Sequence, residues 1–174
     1  MARPALRQDI ATAVRRSGAT LGCKRELRVL VNCLTKGEKV RRVAAARYNQ
    51  RSGLLVLTGR RLLFIAEGWF RKSHTDFPIV RISQVSWQSA YGSGDLVLNI
   101  GGLREEIGLD ATVGERIARE LRGALARVDE QRAVALDREA ALYAMVEDLH
   151  AVHFAPAAEV VTGDLDRDAH LTPA

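Results

Sequence analysis

The sequence is poor in cysteine, in aromatic residues and in long apolar runs, and each shortage excludes a class of protein. Cys23 and Cys33 are the only cysteines among 174 residues, too few for a disulfide scaffold or a four-cysteine zinc site. Aromatic residues make up 5% of the chain, which disfavours a sheet that stacks nucleic-acid bases. No apolar run approaches the roughly 20 residues that span a bilayer, and the first residues lack the apolar core of a secretory signal. We therefore expect a cytoplasmic chain without a transmembrane segment.

The charge is distributed unevenly along the chain. The net charge is +5, but residues 1–128 carry +12 and residues 129–174 carry −7. A basic body fits an anionic partner such as phospholipid or nucleic acid, with the acidic tail competing for the same surface. Alternatively, the tail only neutralises and solubilises its own domain. Both interpretations stay open at this point.

Both ends of the chain show helical periodicity. Apolar residues recur at three- and four-residue spacing over residues 4–16 and 22–34, which predicts two amphipathic helices. We assign residues 1–36 to this N-terminal helical extension. An acidic stretch of similar periodicity, ending near His150, predicts that residues 129–174 form a helical extension and a disordered tail. Whether that helix is separate or continues the one before it stays open.

The central region, residues 37–128, has the period of two that is typical of β-strands. Its most informative passage runs from Gly53 to Ile65, where two nearly continuous apolar strands flank a tight turn at Thr58-Gly59-Arg60. Such continuous hydrophobicity predicts that both faces are covered, one by a barrel interior and the other by the N-terminal helices or a partner subunit. Further strands are predicted at residues 70–77, 79–87, 95–100 and 103–109, followed by a closing helix that begins at Asp110.

Several short motifs of this region stand in a recognisable order. They are Gly37-Glu38-Lys39-Val40, the hairpin from Gly53 through Thr58 to Arg61-Leu62-Leu63-Phe64, and Ile82-Ser83-Gln84-Val85. In order and spacing they resemble the bacterial pleckstrin-homology (PH)-like domains of the YokE-like family, over roughly residues 22–128. The resemblance implies an α+β fold, a PH-like antiparallel β-barrel of about seven strands capped by a C-terminal helix. Because such domains bind lipids, peptides or proteins, it implies a binding or scaffolding module without fixing the ligand.

The resemblance also directs attention to basic loops. Phosphoinositide-type PH sites place clustered Lys and Arg between the first two strands, where several charges converge on phosphates. Here that segment and the next turn carry the candidate anion ligands Arg41, Arg42, Arg47, Arg51, Arg60 and Arg61. The alternative is that a basic protein carries arginine at edge and turn positions for solubility.

Other residues are candidates for contact with macromolecules. Leu27, Leu30 and Val31 on the second helix, with Trp69 and Phe70 at a hairpin tip, form a possible interface for a protein partner or a second copy. Burial against the closing helix would equally explain the two aromatic residues. A cluster on the N-terminal helices could face nucleic acid or an acidic membrane surface; its members are Arg15, Arg16, Lys24, Arg25 and Arg28.

The sequence has no glycine-rich phosphate loop, no nucleophile elbow and no acid pair placed for acid–base catalysis. We therefore expect no enzymatic activity, no cofactor and no metal site. The first hypothesis is a PH-like module for protein–protein interaction or self-assembly. The alternatives are binding to anionic lipid or a membrane surface through the basic loops, and binding to nucleic acid through the basic N-terminal helices.

Overall fold

The computed structural model describes residues 6–17, 20, 22–67 and 72–153. Two short helices precede seven strands, and one long helix follows them. The elements are α1 Gln8–Ser17, α2 Lys24–Cys33, β1 Val40–Tyr48, β2 Arg51–Thr58, β3 Arg61–Glu67, β4 Lys72–Pro78, a 3₁₀ turn Ile79–Arg81, β5 Ile82–Ala90, β6 Ser93–Ile100, β7 Leu103–Asp110 and α3 Ala111–His153.

The seven strands form one antiparallel sheet in the order β4-β3-β2-β1-β7-β6-β5, so that β4 and β5 lie at its two ends. Phe77 in β4 and Val85 in β5 nevertheless belong to one buried cluster, together with Ile117 and Leu121 of α3. Because side chains from opposite ends of the strand order share a core, the sheet curves around one interior, which α3 covers. The predicted α+β class, with a PH-like arrangement of seven antiparallel strands and a closing helix, is confirmed.

The helices α1 and α2 cover the outer face of β1, β2 and β3. Ile10 of α1 and Leu30 of α2 are fully buried there against Leu54 and Leu63. Successive strand residues point to opposite faces, and the next residue, Leu55, belongs to the interior cluster. The predicted coverage of both faces of the central hairpin is therefore confirmed. The cover on the second face is the chain's own pair of N-terminal helices.

The pairing of β1 with β2 is irregular near the start of β1. The pairing of β1 with β2 changes between Val40 and Arg42, and such a bulge interrupts the alternation of faces. As a result Val40 and Val43, three residues apart, both reach the core under α1 and α2. Arg41 at the bulge is exposed, and its guanidinium lies beside the β2–β3 turn at Gly59.

The turn between β1 and β2 contains only two residues. It consists of Asn49 and Gln50, whose φ angles of 48° and 61° are both left-handed, as in the type I′ turns that match the twist of paired strands. Arg51 already belongs to β2. At Gly53 a Cβ atom would lie 2.2 Å from the carbonyl oxygen of Ile65. Only glycine lets β2 approach β3 so closely at this position.

The predicted strand that begins at Ile79 is wrong at its start. Residues Ile79–Arg81 form a 3₁₀ turn, in which the amide of Ile79 donates to the carbonyl oxygen of Arg60 at 2.9 Å. Because β4 and β5 lie at opposite ends of the sheet, the chain must leave the ladder between them. Pro78, which has no amide hydrogen, stands at the point where it leaves.

The closing helix starts where the capping pattern predicts. Asp110 Oδ1 accepts hydrogen bonds from the amides of Thr112 at 3.0 Å and Val113 at 3.3 Å, which satisfies donors of the first turn. The question left open by the sequence is answered, because α3 continues as one helix to His153. No described helix is long and apolar enough to cross a membrane.

Residues from Ala133 onward form a second compact unit. We call residues 133–147 the α3 extension, and every side chain in it is exposed. Its large apolar side chains have exposed fractions between 46% and 67%; they are Val134, Leu136, Leu142, Tyr143, Met145 and Val146.

Replacement of Ile10 by alanine tests whether α1 is an integral part of the β-domain. Because the Ile10 side chain is fully buried, its truncation should lower the free energy of unfolding in urea by about 2–4 kcal/mol. Val31→Ala on α2, at a side chain 44% exposed, should change it by less than about 0.5 kcal/mol. Equal effects of the two substitutions would show that α1 does not pack as described.

Candidate functional site

The structure divides the six candidate arginines between the two ends of β1. Arg41 and Arg42 lie at its start, beside the β2–β3 turn that carries Arg60 and Arg61, whereas Arg47 and Arg51 flank the turn at its other end. Arg47 lies six positions further along the strand than Arg41, a distance of about 20 Å. The six side chains therefore cannot converge on one anion.

Arg61 is held by carboxylates of its own chain. Its Nε donates to Glu38 Oε1 at 2.9 Å and its Nη2 to Glu38 Oε2 at 2.8 Å, the two-pronged geometry of a strong arginine–carboxylate pair. Its Nη2 also donates to the carbonyl oxygen of Cys33 at 2.9 Å, and its Nη1 pairs with Asp76. The guanidinium of Arg61 is thus occupied, and we leave it out of the candidate anion surface.

Glu38 is the centre of this cluster and is only 3% exposed. Thr58 Oγ1 donates to its Oε1 at 2.8 Å, while the amide of Thr35 donates to its Oε2 at 2.9 Å. Burial by itself would raise the pKa of Glu38, but the hydrogen bonds from Arg61, Thr35 and Thr58 outweigh it and lower the pKa to about 2. The carboxylate is therefore ionised and fully bound within the fold.

Two further carboxylates near the start of β1 are also matched to arginines. Asp9 pairs with Arg7 at 2.7 Å and accepts the amide of Val40 at 2.8 Å. Burial opposes ionisation of Asp9, yet the hydrogen bond from Arg7 is the larger effect and holds the pKa of Asp9 well below its usual range. Glu120 of α3 pairs with Arg42 at 2.6 Å. Arg42 is consequently engaged with the closing helix.

These pairs border an open groove of about 1050 Å³ between α1, the start of β1 and the β2–β3 turn. Six cationic and three anionic side chains line it. After the pairs described above are formed, four exposed cations remain without an ion-pair partner among the described residues; they are Arg16, Lys39, Arg41 and Arg60. We call these four the groove cations. Arg16 was predicted only as part of the basic cluster on the N-terminal helices, and Lys39 belonged to no predicted set.

A second hollow, of about 670 Å³, lies at the other end of β1. Arg47 lines it together with Glu26 and Cys23. Glu26 is 7% exposed; its Oε1 accepts the amide of Glu67 at 3.2 Å, and its Oε2 has no hydrogen-bond partner in the described part of the chain. The Cys23 thiol lies 3.4 Å from the carbonyl oxygen of Gly53, and burial raises its pKa. A protonated, buried thiol is a packing group rather than a nucleophile.

The candidate interface residues fall in different surroundings. Leu30 is fully buried in the chain's own core, and Leu27 packs partly buried against the same core. Val31 is 44% exposed. Trp69 and Phe70 lie outside the described residues. Across those residues, no group of three or more His, Cys, Asp or Glu side chains could hold a metal ion.

This chain shows only limited similarity to known proteins. No protein-family model and no curated protein matches the chain. The solved Vps36 N-terminal PH domain is 17% identical over 55% of this chain and 84% of that one, with a TM-score of 0.43. A DUF1696 family protein with a pleckstrin-homology domain from Shewanella loihica is 17% identical over 60% of this chain and 98% of that one, with a TM-score of 0.42. The PH-like arrangement of this chain rests on its own strand order and closing helix. Membership of the YokE-like family stays a prediction.

Replacement of Glu38 by glutamine tests the role of the ion pair. The pKa of Glu38 is about 2 in the folded chain against an ordinary value of 4.5, so its stabilising effect is complete above the ordinary value and is lost as the pH falls towards 2. We expect Glu38→Gln to lower the free energy of unfolding by about 3 kcal/mol near neutral pH, because Arg61, whose side chain is 16% exposed, keeps a largely desolvated charge without its main partner. The difference from wild type should shrink at about pH 3, as measured by urea denaturation at both pH values.

The matched control is Glu106→Gln. Glu106 pairs with Arg104, and both side chains are more than half exposed, so we expect a change below about 0.5 kcal/mol. If Glu38→Gln showed the same small loss, or a loss independent of pH, the Glu38–Arg61 pair would not stabilise the fold as described.

Proposed function

We propose that this chain is a non-catalytic PH-like binding module that assembles with a second copy of itself through the α3 extension. The observation that supports this proposal is the exposure of six large apolar side chains on one short helical segment, while the apolar faces of α1 and α2 are covered by the chain's own sheet. Large apolar side chains left exposed together on one segment mark a site of association. A helical segment gains most of its stability from burying such a face.

A second copy is a suitable partner because one stripe of the α3 extension is self-complementary. At 100° per residue, Leu136, Ala140, Tyr143 and Glu147 fall within an arc of about 60°. An antiparallel pair with its two-fold axis between Glu139 and Ala140 would set Leu136 of each copy against Tyr143 of the other. The same surface then serves both copies, which is the property of a closed two-fold interface.

The charge of the extension favours a protein partner over a membrane. It carries one cation, Arg138, and three anions, Asp137, Glu139 and Glu147, for a net charge of −2. Helices that lie on anionic membranes instead carry lysine and arginine on their polar face. The large apolar side chains of this segment are therefore better suited to another helix than to an anionic lipid surface.

Sedimentation of the purified chain tests self-association. We expect concentration-dependent dimers that persist at moderate salt, because buried apolar area is insensitive to screening. Leu136→Glu with Tyr143→Glu should raise the dimer dissociation constant at least about a hundredfold, since each buried side chain contributes about 1.5–3 kcal/mol.

The control variant also replaces two exposed apolar side chains by glutamate, but on the β-domain. Leu103 and Val80 are 68% and 55% exposed, and Leu103→Glu with Val80→Glu should leave the dissociation constant unchanged. A wild-type chain that is monomeric at all concentrations, or a dimer lost equally in both variants, would contradict the proposal.

A further inference from the structure

We propose that the groove between α1, the start of β1 and the β2–β3 turn is a binding site for a small multiply phosphorylated anion, such as a diphosphate or triphosphate group. The four groove cations, Arg16, Lys39, Arg41 and Arg60, would hold it. This site goes beyond self-association and uses none of the residues of the α3 extension.

The first argument is electrostatic. The lining residues carry six positive and three negative charges, so the groove has a net charge of +3. Each of its three carboxylates is neutralised by a paired arginine and therefore repels an incoming anion little. The pairs are Asp9 with Arg7, Glu38 with Arg61 and Glu120 with Arg42. The remaining positive charge is concentrated on exposed side chains around one concave surface, which focuses the field on a ligand of opposite sign.

The second argument is the way in which the fold brings two arginines together. Arg41 stands at the bulge of β1, and Arg60 stands in the tight turn between β2 and β3. The Arg41 guanidinium lies 3.7 Å from the position that a Cβ atom would take on Gly59, the residue next to Arg60. The bulge and the turn therefore place arginines from two separate segments at the same edge of the groove. Arginines presented in this way bind phosphate oxygens through paired N–H donors.

The shape and lining of the groove select the class of ligand. Its lining contains no aromatic side chain among the described residues, so bases of a nucleic acid would find no surface to stack on. The phosphate groups alone would be recognised. A cleft walled by α1 on one side and by the turn on the other suits a compact anion with two or more phosphates.

The site includes the predicted Arg41 and Arg60 but lies away from the turn between the first two strands. The turn between β1 and β2, residues 49–50, lies at the opposite end of β1 from the groove. The two arginines that flank that turn are Arg47 and Arg51, and Arg51 donates to Ser73 Oγ at 2.7 Å. The groove at the start of β1 holds the larger group of cations without ion-pair partners in the described chain.

Calorimetric titration with inorganic pyrophosphate and with tripolyphosphate tests the proposal. We expect one saturable site, with tighter binding of tripolyphosphate, and a rise in melting temperature on binding. Arg41→Ser with Arg60→Ser should weaken binding at least about tenfold, because two of four converging cations are removed. The control, Arg47→Ser with Arg81→Ser, removes the same charge from exposed residues outside the groove and should leave binding within about twofold of wild type.

Two further arms identify the source of the phosphate and the independence of the site. The first compares vesicles of pure phosphatidylcholine with vesicles that also contain phosphatidylinositol bisphosphate, and it shows whether a lipid head group enters the same groove. Binding to the second kind of vesicle that is abolished by the Arg41 and Arg60 substitutions would support the site with a lipid source. The monomeric Leu136→Glu, Tyr143→Glu variant should bind tripolyphosphate as wild type does, so a failure of self-association leaves this test unaffected.

Three results would overturn the proposal. One is the absence of saturable binding of either phosphate compound or of the vesicles. Another is an equal loss of binding in the groove and control double variants, which would mean unspecific attraction to a basic protein. The third is tighter binding of duplex DNA than of tripolyphosphate, with the same dependence on Arg41 and Arg60. This result would identify a nucleic-acid surface instead.

Discussion

The buried ion pair between Glu38 and Arg61 is the interaction on which the arrangement of this domain depends. Leaving an ionised carboxylate 3% exposed without partners would be very costly, and its partners come from the loop after α2, the end of β2 and the start of β3. Through Arg61 the network also reaches the last turn of α2 and Asp76 of β4. One set of hydrogen bonds thereby fixes α2 and the strands beneath it at a single corner, beside the groove.

Much of the fold could be predicted because it follows from local patterns. The apolar run from Gly53 to Ile65 required a cover on both faces, and the cap at Asp110 required a helix start; both features are local in sequence. The prediction of a strand that starts at Ile79 was wrong because an apolar residue gives the same sequence pattern in a strand as in a buried turn that ends strand pairing. The deciding fact is that β4 and β5 lie at opposite ends of the sheet, which no local pattern contains.

The candidate site was predicted less well, for a related reason. Arginine content identifies a basic surface, but the partner of each arginine is set by tertiary contacts. Arg61 and Arg42 look equivalent to Arg41 in sequence, yet they face Glu38 and Glu120, the latter 78 residues further along the chain. Arg16 could not be joined to the groove before α1 was placed against β1. The one available signal was Glu38 itself, a carboxylate at the exact change from helical to strand periodicity.

The two ends of the sheet restrict how copies of the chain can meet. An edge strand offers unpaired backbone groups to a neighbour, and proteins guard against this with charged side chains and proline. Here β4 exposes His74 and Asp76 and ends in Pro78, while β5 exposes the amide side chains of Gln84 and Gln88. Strand addition, which could be repeated without limit, is thus discouraged at the β4 edge. The proposed contact through the α3 extension would instead pair two copies and then stop, because a two-fold interface is closed.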